Sequence, residues 1–158
     1  MDIKTLPEQA QKAESEWKRY FAKNKKKIER MDVFIQGLHE KFFEEIDCLE
    51  CGNCCRTLGP RITGKDAERM AKALRMKTAD FTAQYLRTDE DSDLVFRSMP
   101  CPFLGADNYC TVYESRPKAC REYPHTDRKR FYQIYNLSIK NASTCPVVFR
   151  VLEEITKQ

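Results

Sequence analysis

Residues 48–55 read Cys-Leu-Glu-Cys-Gly-Asn-Cys-Cys, four thiols in eight positions with the last two adjacent. A Cys-x-x-Cys turn holds two sulfurs about 3.8 Å apart, the edge of a tetrahedron whose metal–sulfur bonds are about 2.3 Å long. That spacing occurs twice here, at Cys48/Cys51 and Cys51/Cys54. Gly52 and Asn53, between the second pair, are residue types that tolerate the left-handed backbone a knuckle turn often needs. Cys54 and Cys55 are harder to place. Consecutive side chains point to opposite faces of a strand, or about 100° apart on a helix. The two thiols are therefore expected to face different partners, which points to two metal sites, or to one cluster plus a second sulfur group, sharing this segment.

The other four cysteines, Cys101, Cys110, Cys120 and Cys145, each sit in turn-like or element-end sequence. Eight thiols make two sites of four the simplest sum, with the grouping left open. A chain of 158 residues fits one ordinary domain with a helical appendage, and with 33% charged residues its conventional apolar core is modest. The N-terminus shows no basic start followed by an apolar run, and no window has the length of a membrane span. The expectation is a cytoplasmic protein, in which eight cysteines serve as metal ligands in preference to disulfides. The formal charge of +4 counts every cysteine as neutral. Two four-thiolate sites would bring it to about zero, so the basic balance does not argue for nucleic acid. No nucleic-acid partner and no membrane is expected.

Residues 7–46 have the pattern of a long amphipathic helix or helix pair. Pro7 suits a first turn, and Trp17, Phe21, Ile28, Met31, Ile35, Leu38 and Phe42 form a heptad-like stripe with Asn24 in the gap. The stripe fits either against the following domain or along a homodimer seam. The run at 23–27, KNKKK, reads as a solvated face or a helix break. Farther on, Thr63 can cap a helix through Ala67, Met70, Ala71 and Leu74, and Thr78 can cap a second over 79–87. The acidic stretch 89–93 reads as a loop and Leu94–Phe96 as a strand, with a hairpin spanning Leu94 to Tyr113 across the 105–108 turn. Residues 131–140 are ambiguous between helix and strand. Cys145-Pro146 opens a last helix. The fold class is α+β and mostly helical: a leader over residues 1–47, then a small metal-stapled domain over 48–158 with a short β-hairpin.

The order Cys48, Cys51, Cys54, Cys55, then Cys101-Pro102, then Cys110-x-x-Tyr113-x-x-Arg116-Pro117-x-x-Cys120 with Pro124 soon after, then Cys145-Pro146, resembles the YkgJ-type cysteine-cluster family. That family is described as a zinc- or iron-chelating domain with the pattern CxxCxxCC. The resemblance covers residues 48 to about 156 and includes the Phe81 to Leu86 stretch. It implies metal binding through all eight cysteines and brings no agreed activity. A related pattern in flagellin lysine methylases is associated with an iron–sulfur cluster, but nothing here matches a substrate domain for that reaction.

Tetrathiolate zinc and an iron–sulfur cluster accept the same ligands. Cys101-Pro102 and Cys145-Pro146 are similar to the Cys-Pro that closes ferredoxin runs, and Phe103, Tyr109 and Phe149 are candidates to shield a cluster, so iron is the preferred reading. Arg56, Arg116 and Arg121 are positioned in sequence to offset thiolate charge or donate to sulfur, the alternative for each being a surface ion pair. His125, near Cys120, is a candidate replacement ligand, and His39 reads as structural. No catalytic constellation is apparent. The strand that should precede a thioredoxin-like pair is missing, neither Cys-x-x-Cys is followed by histidine as covalent haem requires, and there is no phosphate-cradling glycine loop. Two function classes stay open: a structural zinc-stapled interaction module, and an electron-transfer or enzyme-accessory protein.

Overall fold

A computed structural model describes residues 2–158. It is mostly helical with one two-stranded antiparallel sheet, and it divides into two compact units, residues 2–48 with 124–158 and residues 49–123. No helix among the described residues is long and apolar enough to cross a membrane.

In the first unit α1 (Leu6–Lys23) begins with proline in its first turn and buries Leu6, Ala10, Trp17 and Phe21 along one face. It stops at Asn24, whose side-chain amide and backbone N–H both donate to the Tyr20 carbonyl. A one-turn α2 (Lys25–Ile28) follows, then α3 (Asp32–Glu45). The expected helix or helix pair consists of two longer helices joined by the one-turn α2, and the KNKKK run is where the first break falls. The other partner of this unit comes from the far end of the chain. There, α9 (Tyr135–Asn141) settles the ambiguous stretch as helix, and α10 (Pro146–Thr156) has Pro146 in its first turn, as expected. Helix α10 buries Val147, Val148, Phe149, Val151, Leu152 and Ile155, and packs against α1, α3 and α9. Trp17 meets Phe149 edge-on at 5.3 Å, and Phe21 stacks on Tyr135 at 4.9 Å. The apolar stripe of α1–α3 is therefore covered within its own unit.

The second unit begins with two single turns, α4 (Cys48–Cys51, whose first residue closes the other unit) and α5 (Asn53–Thr57). Thr63 starts α6 (Gly64–Ala73) with a full capping box: its hydroxyl accepts from Asp66 N–H at 3.2 Å while the Asp66 carboxylate accepts from Thr63 N–H at 3.0 Å. Helix α7 (Thr78–Tyr85) is capped at Lys77 without a side-chain bond, so Thr78 lies inside the helix and does not cap it as expected.

Strand β2 (Leu94–Phe96) is where the sequence places it, but its partner is β1 (Leu86–Thr88), paired Leu86 to Phe96. This corrects the hairpin expected between Leu94 and Tyr113. The acidic loop is the hairpin turn, because the Asp89 carboxylate accepts from the N–H groups of Asp91 and Asp93. The 105–108 turn closes only a single bridge, Leu104 to Cys110. Ile62, Met70, Phe81, Leu86, Phe96 and Phe103 form the core of this unit. The last helix, α8 (Lys118–Glu122), carries Cys120.

Candidate metal centre

Gly52 joins α4 to α5 at φ +55°, a left-handed angle that glycine adopts without the clash a Cβ would bring. Asn53, the other permissive residue of the knuckle, is helical. From the following turn Arg56 folds back and donates through Nη1 to the Cys51 carbonyl at 2.8 Å and through Nη2 to Asn108 Oδ1. Asn108 is itself left-handed at φ +67° and donates its amide to the Glu50 carbonyl at 3.0 Å. The knuckle is thus held from outside by one guanidinium and one amide. Arg56 was expected beside the thiols; Asn108 was missed, although its position in a Gly-Ala-Asp-Asn turn was the available signal.

Four thiols converge within this unit. Cys55 lies on α5, Cys101 precedes the Leu104–Cys110 bridge and Cys110 is one of its two residues, and Cys120 lies on α8. The Cys101 N–H donates to the Cys55 carbonyl at 2.8 Å. Burial raises the Cys101 thiol to about 11, backbone N–H groups of Phe103 and Leu104 oppose that by donating to its sulfur, and the neighbouring Cys55 and Cys110 raise it further. Burial also raises Cys110, against a donated Val112 N–H and with Cys55 nearby. Cys120 goes to about 12 through burial and then the proximity of Cys55, Cys101 and Cys110, with Arg116 opposing. Each of these three sulfurs is in electrostatic reach of Cys55, and two already receive backbone N–H···S bonds.

Cys55 moves the other way, to about 7, first through a hydrogen bond from the Cys54 thiol, then against burial, with the Arg56 charge also lowering it. The Cys54 and Cys55 thiols are thus hydrogen-bonded neighbours on the single turn of α5. Cys51 and Cys54 belong to the same unit, with Cys54 hydrogen-bonded to Cys55. Cys48 and Cys145 belong to the first unit, Cys48 exposed and Cys145 buried as the cap of α10. All eight are thiols. Among the described residues no three cysteine, histidine or acidic side chains stand close enough together to close on one ion.

Arg116 stacks its guanidinium 3.8 Å from the Tyr113 ring centroid and donates to the Tyr113 carbonyl at 2.8 Å. Its charge opposes the upward shifts of Cys110 and Cys120. Arg121 is exposed on α8, with no contact to a thiol among the interactions of the described residues. Two further residues place α8. The Asp66 carboxylate accepts from Lys118 N–H at 3.0 Å, and Arg69 bridges Asp66 to the Arg116 carbonyl at 2.9 Å. Both went unremarked in the sequence, although Thr63-x-x-Asp66 is a capping-box spacing.

Of the candidate shields, Phe103 packs with Phe81, Tyr85 and Phe96, Tyr109 is exposed, and Phe149 lies against Trp17 in the first unit. His125 is in the first unit with a left-handed backbone, and His39 bonds Thr126 Oγ1 at 2.7 Å there. A separate cleft of about 300 Å³ beside the hairpin, lined by Arg87, Asp89, Val95, Arg97 and Met99, contains no cysteine.

Comparison with known proteins agrees with the donor chemistry. No curated protein and no solved structure matches the chain. One family model does, over residues 47–146: CxxCxxCC, described as a "putative zinc- or iron-chelating domain". A stretch of this extent, ending one residue before Cys48 on one side and one residue past Cys145 on the other, contains every cysteine of the sequence. The chain belongs to the CxxCxxCC family of metal-chelating domains.

Proposed function

We propose that Cys55, Cys101, Cys110 and Cys120 form one four-thiolate site, and that all eight cysteines are ligands of zinc or of iron–sulfur clusters in a reducing cytosol. The convergence of those four sulfurs from separate segments carries the reading. As bare thiols in a partly buried setting three of them resist ionisation. A bound cation reverses that preference, because a coordinating thiol is deprotonated outright. Backbone N–H groups aimed at Cys101 and Cys110 supply donors that a thiolate uses better than a thiol, and that tune a cluster when one is held. Cysteines packed as small apolar residues would explain their half-buried setting, but not four of them in mutual reach, two with backbone N–H groups on their sulfurs.

Between the metals we favour iron and a role in electron transfer or as an enzyme accessory. The two Cys-Pro steps support it, and so does the aromatic core that includes Phe103 close in sequence to Cys101. The second reading is a structural zinc module whose surfaces serve protein contacts. Because the leader's stripe is covered inside its own unit, any homodimer or partner contact is assigned to other surfaces. Anaerobic purification with metal quantification and an absorption spectrum decides. A brown protein bleached by dithionite supports the first reading, a colourless protein holding zinc supports the second, and a protein that takes up neither metal ends both.

A further inference from the structure

The first unit joins two basic runs from opposite ends of the chain. Helix α2 packs against the short 3-10 turn Phe131–Gln133, which directly follows Arg128, Lys129 and Arg130. The Asp32 carboxylate pins that run by accepting from the backbone N–H of Arg130 at 2.6 Å and of Phe131 at 3.1 Å. Lys23, Lys25, Lys26, Arg30, Arg128, Lys129 and Arg130 thereby gather around the α2–α3 junction, all exposed. None of the seven takes part in an ion pair among the described residues. Lys27 differs, since its ammonium donates to the Gln158 carbonyl at 2.6 Å. The acidic residues of these segments are Glu29, Asp32 and Asp127, and Asp32 is engaged with backbone. In the first turn of α3, next to Asp32, Val33 is 82% exposed and Phe34 39%.

We propose that this surface docks the protein onto a bilayer bearing anionic lipid headgroups. Read alone, the KNKKK run suggested a solvated face or a helix break, and no membrane was expected. What the fold adds is the second basic run and an apolar pair beside both. A cluster of about four to eight cations is the usual footprint for an anionic leaflet. Flanking apolar side chains add a contribution that salt does not screen. Nucleic-acid phosphates would also attract the cations, but binding there draws on grooves or stacked aromatics. An exposed valine contributes to neither, and gains where an apolar environment such as a bilayer's hydrocarbon takes it out of water.

Sedimentation of the full-length protein with vesicles tests this. Binding is expected to phosphatidylcholine vesicles containing phosphatidylserine, to be absent from phosphatidylcholine alone, and to weaken with salt. Replacing Lys25, Lys26, Arg128 and Lys129 together by glutamine should weaken it by at least about 100-fold, from the typical contribution of each cation. Val33→Ser with Phe34→Ser should weaken binding that persists at higher salt. All six positions are exposed, and unchanged circular dichroism confirms that the variants fold. Failure to bind the anionic vesicles at low salt, equal binding to neutral ones, or indifference to either variant overturns the proposal. So does tighter binding to a single-stranded oligonucleotide that the Val33/Phe34 variant leaves intact.

Discussion

The backbone N–H of Cys101 donates to the carbonyl of Cys55 across 2.8 Å, fastening the end of the cysteine knuckle to the turn that carries the next thiol. Neither partner uses its sulfur in that bond, so it joins the two segments and leaves both sulfurs for other contacts. If Cys55 and Cys120 are ligands of one centre, serine at either position should abolish metal at that centre and lower the melting temperature, because site formation and folding are coupled. Metal content per chain, measured beside thermal unfolding on an anaerobic sample, checks both. Full metal content in Cys120→Ser would remove Cys120 from the set.

Asn108 should matter more than its place on an exposed turn suggests. Its carboxamide accepts from Arg56 and donates to the Glu50 carbonyl, while its backbone sits at φ +67°. Asn108→Gly keeps the backbone angle and removes the amide, so it isolates the hydrogen bonds. The expected cost is about 1 kcal/mol of stability and about a tenfold loss of metal affinity. Asn108→Ala should cost about 1 kcal/mol more, because alanine resists the left-handed angle. Denaturant titrations of the two variants side by side would separate these contributions, and equal stabilities would show that the backbone angle is not a constraint.

The parts of this fold that depend on neighbours in sequence were legible. Thr63 and Pro146 mark the helices they begin, and Pro7 lies in the first turn of α1. Nonlocal pairings were not. Residues 86 and 87 read as the tail of a helix, and the Asp89 carboxylate, tied to the N–H groups of Asp91 and Asp93, helps to turn the chain early enough for Leu86 to pair with Phe96. The cysteines show the same limit. Spacing identifies metal-type knuckles, but which thiols meet is decided by contacts such as Lys118 N–H to Asp66, between residues far apart in the chain. The leader's stripe was plain in the sequence. Its cover, α10, was not, since an amphipathic face does not specify its partner.

Gly52→Ala tests the knuckle turn itself. A Cβ there would lie 2.9 Å from Arg56 Nη1, the mobile end of a side chain, so the contact can relax. The φ of +55° cannot change without opening the turn between α4 and α5. A loss of about 1–2 kcal/mol is expected from the backbone alone, together with a weaker Arg56 hold on the Cys51 carbonyl. Should Gly52→Ala melt with the parent protein, the left-handed turn would not be required.

Arg116→Ala should leave the fold in place and weaken metal retention. The guanidinium stacks on Tyr113, and its charge favours the ionised forms of Cys110 and Cys120. An outer group of this kind is worth about 10 to 100-fold in affinity. Competition with a chromophoric chelator would measure it, and Arg116→Lys should recover part of the charge effect without the planar stack. Equal retention in Arg116→Ala and the parent would reduce Arg116 to a surface residue.

Asp66 makes the pH dependence testable apart from the thiols. Burial favours its neutral form, but donors from the Thr63 hydroxyl, Arg69 and the backbone N–H groups of Thr63 and Lys118 outweigh it, holding the carboxyl at about 2 against an ordinary 3.8. The folded state thus binds the proton less readily than the unfolded chain. The associated stability is fully present above the ordinary value and is lost as pH falls through the folded one, and amounts to about 2 kcal/mol. Acid also strips metal from thiolates, so wild type should be compared with Asp66→Asn at each pH. The variant is expected to be less stable at neutral pH, and the gap should narrow as Asp66 becomes protonated in both states. Equal urea midpoints at neutral pH would mean that the carboxylate is not what joins α6 to the start of α8.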